Sequence, residues 1–288
     1  MSFEGVDLIH IPYDTGRRGW RMGAGPERLA EVVGGGALTA AGVDARARVV
    51  EADVDPPTET SVAFDLAARI SAAVKASRAS ARLPLVLAGN CMSALGTVAG
   101  LGADRTAVVW FDAHGDLNTP ETTTSGFLDG MAVAALTGRC WRRMTEVIPD
   151  FVPLPDRRVA LVGVRDVDDG EEHLLRGSSI PVVTTGQARS GGMRQVLEPV
   201  LGRVEDDVTG AYVHLDLDVL DPGVGRANAF AAPGGLEVEE VVTAVETIVR
   251  RTGVVGAAMT AYDPTVDADG SVAEAADRIA APLLDGFG

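Results

Sequence analysis

The chain predicts an α/β fold of three layers, in which about eight mostly parallel strands carry helices on both faces. Two observations predict it. Short β-branched runs alternate with Ala/Leu/Glu-rich amphipathic stretches through about eight units. Most of those runs are apolar over successive residues, as strands covered on both faces are. The strand candidates are 6–12, 47–54, 83–89, 106–113, 158–164, 180–185, 211–219 and 253–262. Helix candidates lie near 26–34, 61–79, 91–101, 128–138, 170–176, 191–202, 236–251 and 272–284. Pro26 and Glu27 suit the first turn of the first helix, and Ser61 is positioned to cap the second. With no Pro/Ser-rich linker, repeat or charge block, residues 1–288 read as one domain. The loop 113–127 is long and rich in Gly, Thr and Pro, which marks it as a functional segment.

Composition narrows the function. Among 288 residues, 25 Lys+Arg stand against 41 Asp+Glu, a net charge of −16 with neutral histidine. Such a surface repels phosphate backbones and anionic lipid, so nucleic-acid and membrane partners are set aside in favour of a small molecule. No run of about 18 apolar residues occurs, and MSFEGVDLIHIP has no basic segment ahead of an apolar one. Cys91 and Cys140 are too few for a disulfide framework, and a reducing cytoplasm is the expected home.

Sites in parallel sheets form at the carboxyl ends of strands. The run TAVVWF leads directly into Asp112-Ala113-His114-Gly115-Asp116, and a second run carries Asp216-Leu217-Asp218 followed by Val219-Leu220-Asp221-Pro222. Read as strand positions, Asp216 and Asp218 share one face. Buried side by side, such carboxylates repel unless one is protonated or a cation lies between them. Four carboxylates and one imidazole suit two divalent ions of the manganese type better than a structural zinc site, which favours thiolates. Either cluster alone would also serve as turn and cap residues; the two together point to metal.

The segments WFDAHGDLNTPETTTSG and HLDLDVLDP resemble the DAHxD and DxDxxDP motifs of the arginase/agmatinase (ureohydrolase) family. The likeness extends from GAGPERL (23–29) through VGVRDVDDGE (162–171) to PGGL (233–236). It implies an arginase-like α/β/α fold of eight mostly parallel strands and a binuclear manganese site. It further implies hydrolysis of a guanidinium or related C–N centre by a metal-bridging hydroxide. Carried across, Asp112 and Asp216 bridge the ions, His114 and Asp218 complete one, and Asp116 binds the other and orients the nucleophile. Asn118 and Ser125 correspond to residues that hold a substrate α-carboxylate, and Asp166, Asp168 and Glu171 to readers of the α-amino group. Asp166 and Asp168 equally fit helix N-terminal acids favoured by the dipole. The family also implies a homo-oligomer, a trimer or hexamer.

Four positions depart from the family. Its Gly-Asp-His ligand motif falls at Gly89-Asn90-Cys91, making Cys91 either a ligand in place of histidine or a small packed thiol. Its proton-shuttling histidine falls at Asp129, which either moves protons or caps a loop. A threonine falls at Phe230, and the glutamate that grips the guanidinium falls at Ala261. His214 reads as a structural residue beneath the metal site. Asp263 either restores the lost charge or makes a turn with Pro264. Phe127 and Phe230 add apolar bulk and a drier pocket. The cysteine together with TPETT also resembles the branch hydrolysing Nω-hydroxy-L-arginine, which keeps the missing glutamate. The expectation is a binuclear-metal hydrolase of an arginine-like or Nω-hydroxyarginine-like amino acid. Hydrolysis of another C–N bond and a non-catalytic metal-binding paralogue are the alternatives.

Overall fold

A computed structural model describes residues 3–204, 207–285 and 287. Eight strands form the sheet: β1 (Gly5–Ile11), β2 (Ala45–Val49), β3 (Arg82–Ala88), β4 (Thr106–Phe111), β5 (Val159–Val162), β6 (Val182–Val183), β7 (Gly210–Asp216) and β8 (Val254–Thr260). Their order is β2-β1-β3-β8-β7-β4-β5-β6, and every pairing is parallel. The principal helices are α1 (Gly25–Val33), α2 (Glu59–Ala79), α3 (Ser93–Leu101), α4 (Ala132–Leu136), α5 (Asp169–Arg176), α6 (Thr185–Gly191), α7 (Met193–Val204), α8 (Val238–Arg251) and α9 (Ser271–Ala280).

Two apolar cores lie on opposite faces of the sheet because strand side chains alternate. Along β4, Ala107, Val109 and Phe111 join one core with Leu29 of α1, Leu197 of α7, Val245 of α8 and Ile279 of α9. Val108 and Trp110 join the other with Phe64 of α2, Leu95 of α3 and Val133 of α4. The expected three layers are therefore present. The expected bounds shift in ways that local chemistry explains. Thr58, not Ser61, caps α2; Ser61 is the third helical residue of a capping box, and its amide donates to Thr58 Oγ1 at 3.1 Å. The candidate strand 47–54 is the edge strand β2, displaced to Ala45–Val49 and exposed throughout. α6 was not expected as a separate helix, and α7 runs two residues beyond the predicted end.

The strand 211–219 ends at Asp216, and Leu217–Val219 form a 3₁₀ turn. Asp218 is therefore not a strand neighbour of Asp216, and the alternation argument for their shared face fails. They converge because the turn folds back: the Asp218 amide donates to Asp216 Oδ1 at 2.9 Å.

At the amino edge of the sheet, Arg82 is 3 % exposed and its guanidinium is fully engaged. Nε donates to Asp7 Oδ1 at 2.6 Å, Nη1 to Asp44 Oδ2 at 2.6 Å, and Nη2 to the carbonyls of Val6 and Asp44. This fork ties β1, β3 and the start of β2 together. Replacing one partner strands a buried charge, at a cost of about 3–5 kcal/mol, whereas replacing both with apolar groups is close to neutral. Arg82→Met is therefore expected to lose about that much stability in urea unfolding, and Arg82→Met with Asp7→Leu to recover most of it. A double variant as unstable as the single one would contradict this account.

Candidate metal centre and substrate cleft

The four central strands, β3, β8, β7 and β4, all end at one edge of the sheet, and their carboxyl ends deliver the candidate residues. β4 leads into Asp112, β7 ends at Asp216, β8 leads into Ala261, and β3 leads through Gly89-Asn90 to Cys91. Gly89 is required there: a Cβ would collide with the Tyr13 carbonyl oxygen, so only glycine lets this turn lie so close. Above these ends is a cleft of about 480 Å³ whose lining includes Cys91, His114, Asp116, Asp129, Asp216 and Asp218.

Two groups of ligand-type atoms share Asp112. One atom each from Cys91, Asp112 and Asp116 lie within 4.8 Å of one another, as do atoms from Asp112, His114 and Asp218. His114 Nδ1 is 3.2 Å from Asp112 Oδ1 and 3.5 Å from Asp218 Oδ2. Asp216 joins them through both oxygens: Oδ2 lies 3.1 Å from Cys91 Sγ, while Oδ1 takes the Asp218 amide. Asp116 adopts the left-handed region, φ 48°, which aspartate tolerates better than most residues. Its Oδ2 is buried with no hydrogen-bond partner among the described residues. A buried anionic oxygen without a donor calls for a cation, and the donor set of hard carboxylates, one imidazole and one thiol accepts divalent ions.

The electrostatics of the metal-free chain express the same demand. Burial, then the charges of neighbouring carboxylates, push Asp116 and Asp216 well above the usual carboxylate range, and Asp218 rises for the same reasons. The Cys91 thiol is pushed up by burial and then by the charge of Asp216. For His114 burial pulls downward, but Asp112 and Asp218 prevail and carry it up to about 10.

The other candidates fall around this centre. Asp129 is raised to about 7 by burial, against hydrogen bonds from the Met92 amide and Asn90 Nδ2, both 2.9 Å. Asn118 Nδ2 donates to Asp168 Oδ2 at 2.9 Å, and Thr122 Oγ1 donates to Asn118 Oδ1. Asp168 caps α5, its Oδ1 taking the Glu171 amide at 3.0 Å, so the capping reading holds there while its second oxygen serves Asn118. Glu171 is turned partly to backbone, accepting from Leu117 N at 3.0 Å. Asp166 is exposed near the mouth, 4.0 Å from His114 Nε2. Ser125 is also exposed and accepts from the Phe127 amide. Phe127 and Phe230 stack at 5.4 Å between centroids. Asp263 accepts from Thr265 N and Oγ1, which is the turn alternative, and it is not among the residues lining the cleft.

Some contributors escaped the sequence reading. Asn228 Nδ2 bridges Asp218 Oδ2 at 3.2 Å and the Ala261 carbonyl at 2.8 Å, a contact between distant loops that no local pattern signals. Arg21 lines the cleft and donates to the buried Asp14 at 2.7 Å. Trp110 Nε1 donates to Asp112 Oδ2 at 3.1 Å, which the strand period could have suggested.

A carboxyl raised to about 7 holds its proton in the folded chain where the unfolded chain, near 3.8, has lost it. Stability contributed this way falls as pH rises. His114, raised to about 10 from 6.5, acts in the same direction between those values. His214, pulled down to about 3 by burial, acts oppositely below 6.5. Above pH 6.5 Asp129 and His114 act together. The melting temperature of metal-free protein is thus expected to fall between pH 6.5 and 8.5, and manganese to flatten the fall. A flat or rising profile without metal, read by calorimetry, would be the contrary result.

Comparison with known proteins identifies the family. The Arginase family model matches residues 4–285. The arginase of Bacillus caldovelox is 32% identical over 218 residues, 75% of this chain and 73% of that one. The arginase of Brevibacillus brevis is 28% identical over 289 residues, covering 97% and 96%. The solved structure of the Bacillus caldovelox arginase superposes with a TM-score of 0.88 at 28% identity, over 98% of this chain and 99% of that one. The chain belongs to the arginase family of metal-dependent hydrolases that act on C–N bonds of linear amidines.

Proposed function

We propose that the protein hydrolyses a guanidino or modified-guanidino amino acid whose reactive end is less basic than that of arginine. The observation that carries this reading is a pair of ligand groups sharing Asp112 beside a cleft that Ala261 lines, where the sequence resemblance would put a guanidinium-gripping glutamate. In this reading Asp112 and Asp216 would be shared by two divalent ions, most simply manganese, with His114 and Asp218 holding one and Cys91 and Asp116 the other. When bound, such ions would lower the pKa of water and so make hydroxide available near neutral pH.

The chain's own residues do the rest. Asp116, whose Oδ2 has no hydrogen-bond partner among the described residues, is placed to accept a hydrogen bond from the attacking nucleophile and so orient it. Asp129, with burial bringing it near neutrality and Asn90 and Met92 fixing its carboxyl, is the group to carry a proton toward the leaving amine. Asn118 and Ser125 receive the α-carboxylate, and Asp166 and Asp168 receive the α-amino group beside Glu171. The stacked Phe127 and Phe230 give the cleft an apolar stretch of wall, although Phe230 itself is exposed.

Asp112→Ala and Asp216→Ala are each expected to keep the fold, lose at least one ion by elemental analysis, and reduce hydrolysis roughly a thousandfold. That corresponds to about 4 kcal/mol of transition-state stabilisation. Unchanged metal content in both variants would reject the ligand assignment.

A buried cation at Ala261 lacks a charged partner that is worth roughly 1.5–3 kcal/mol, or about ten- to a hundredfold. Manganese-loaded protein should therefore turn over a hydroxyguanidino or ureido acid at least tenfold better than arginine, scored by released urea, hydroxyurea or ammonia. Arginine performing as well as every analogue would sink the substrate reading, and silence across the whole panel would favour a non-catalytic role.

A further inference from the structure

Below the cleft, Cys91 is the first member of a buried file of polar side chains. Its Sγ lies 3.2 Å from Thr260 Oγ1, which lies 3.2 Å from His214 Nε2, and His214 Nδ1 lies 2.8 Å from the Tyr212 hydroxyl. Thr260, His214 and Tyr212 are each 0% exposed and none lines the cleft. They sit on the paired strands β7 and β8, with Ala258 beside His214 and Thr260 beside Asp216. The His214 ring is clamped against Trp110, 3.6 Å between centroids and 11° from coplanar.

We propose that Thr260 is a positioning residue whose hydroxyl donates to the sulfur of coordinated Cys91, and that His214 and Tyr212 hold it in that direction. The proposal rests on the reading of Cys91 as a ligand. A neutral imidazole between two hydroxyls has one donor and one acceptor, so the file runs one of two ways. In one, Tyr212 O–H donates to Nδ1, Nε2–H donates to Thr260 Oγ1, and the threonine proton is left for sulfur. In the other, every bond reverses and the Cys91 S–H supplies the proton, to Thr260 or to Asp216 Oδ2 at 3.1 Å. A coordinated sulfur has no proton to give, so only the first direction serves it. The competing acceptor for Thr260, the Leu215 carbonyl, is more distant at 3.4 Å. Donation draws charge from the sulfur and makes a soft ligand more compatible with the hard oxygen donors around it. Outer partners of this kind set the strength of the ligands they touch.

The test uses the full chain loaded with cobalt(II), reading the thiolate-to-cobalt absorption in the near ultraviolet and the cobalt affinity against a competing chelator. Wild type should show the band and Cys91→Ser should lack it. Thr260→Val, similar in shape but without the hydroxyl, should keep the band, move it to longer wavelength and bind cobalt about tenfold more weakly. Thr260→Ser should restore both. Tyr212→Phe, which removes only the far hydroxyl, should shift the band in the same direction by less, and it carries the test if Thr260→Val does not fold. A band and affinity unmoved in the folded variants overturn the proposal while leaving Cys91 as a ligand. A wild-type protein without the band overturns the ligand reading and the proposal with it.

Discussion

Asp112, Asp116, Asp216 and Asp218 are all at most 6% exposed; the last three line one cleft, and Asp112 is common to both ligand groups there. At roughly 4 Å and an effective dielectric near 20, two like charges repel by about 4 kcal/mol, so several such pairs together would exceed the net stability of an ordinary domain. The arrangement persists because the sheet spreads the load over β4 and β7, and because the chain surrounds the cluster with donors. The Asp218 amide, the Ala113 amide, Asn228 and Trp110 each give a hydrogen bond to one of these carboxylates. One oxygen of Asp116 receives none among the described residues. The scaffold thus satisfies most of the cluster's demand for positive partners and leaves the remainder to ions.

Around this centre the cleft mixes acidic and apolar lining. Ala261 brings no charge to it, the stacked pair Phe127 and Phe230 forms an apolar stretch, and Asp129 is a buried carboxyl beside them. Phe127, Phe230 and Ala261 lie on segments that follow strands, where side chains line the cleft without entering either core.

The layered fold was legible because parallel strands covered on both faces read as unbroken apolar runs, and TAVVWF and LPLVLA are such runs. The metal cluster was legible because its members sit in two short segments. What resisted reading depends on three-dimensional closure. The approach of Asp218 to Asp216 comes from a turn that strand periodicity does not describe. Asn228 acts across loops far apart in sequence, and Arg21 reaches back to Asp14 in a contact that neither strand nor helix period describes. The capping of α2 by Thr58 went to the neighbouring candidate because Thr58 and Ser61 both carry hydroxyls and the capping box uses each. Strand β2 was misplaced because an exposed edge has no apolar pattern to fix its limits.

That edge strand has a further consequence, for the behaviour of crowded copies. An outermost strand offers unpaired amides and carbonyls to any passing chain, which is how sheets recruit one another. Here the exposed strand alternates alanine with Arg46 and Arg48, the latter already drawn toward Asp7 at 3.6 Å. Two such edges brought side by side would oppose like charges and offer little apolar surface to cover. The opposite edge, β6, is only two residues long. Neither border gives a long, flat, neutral template, so growth of a continuous cross-strand ribbon would have to begin from a segment that has first left the sheet.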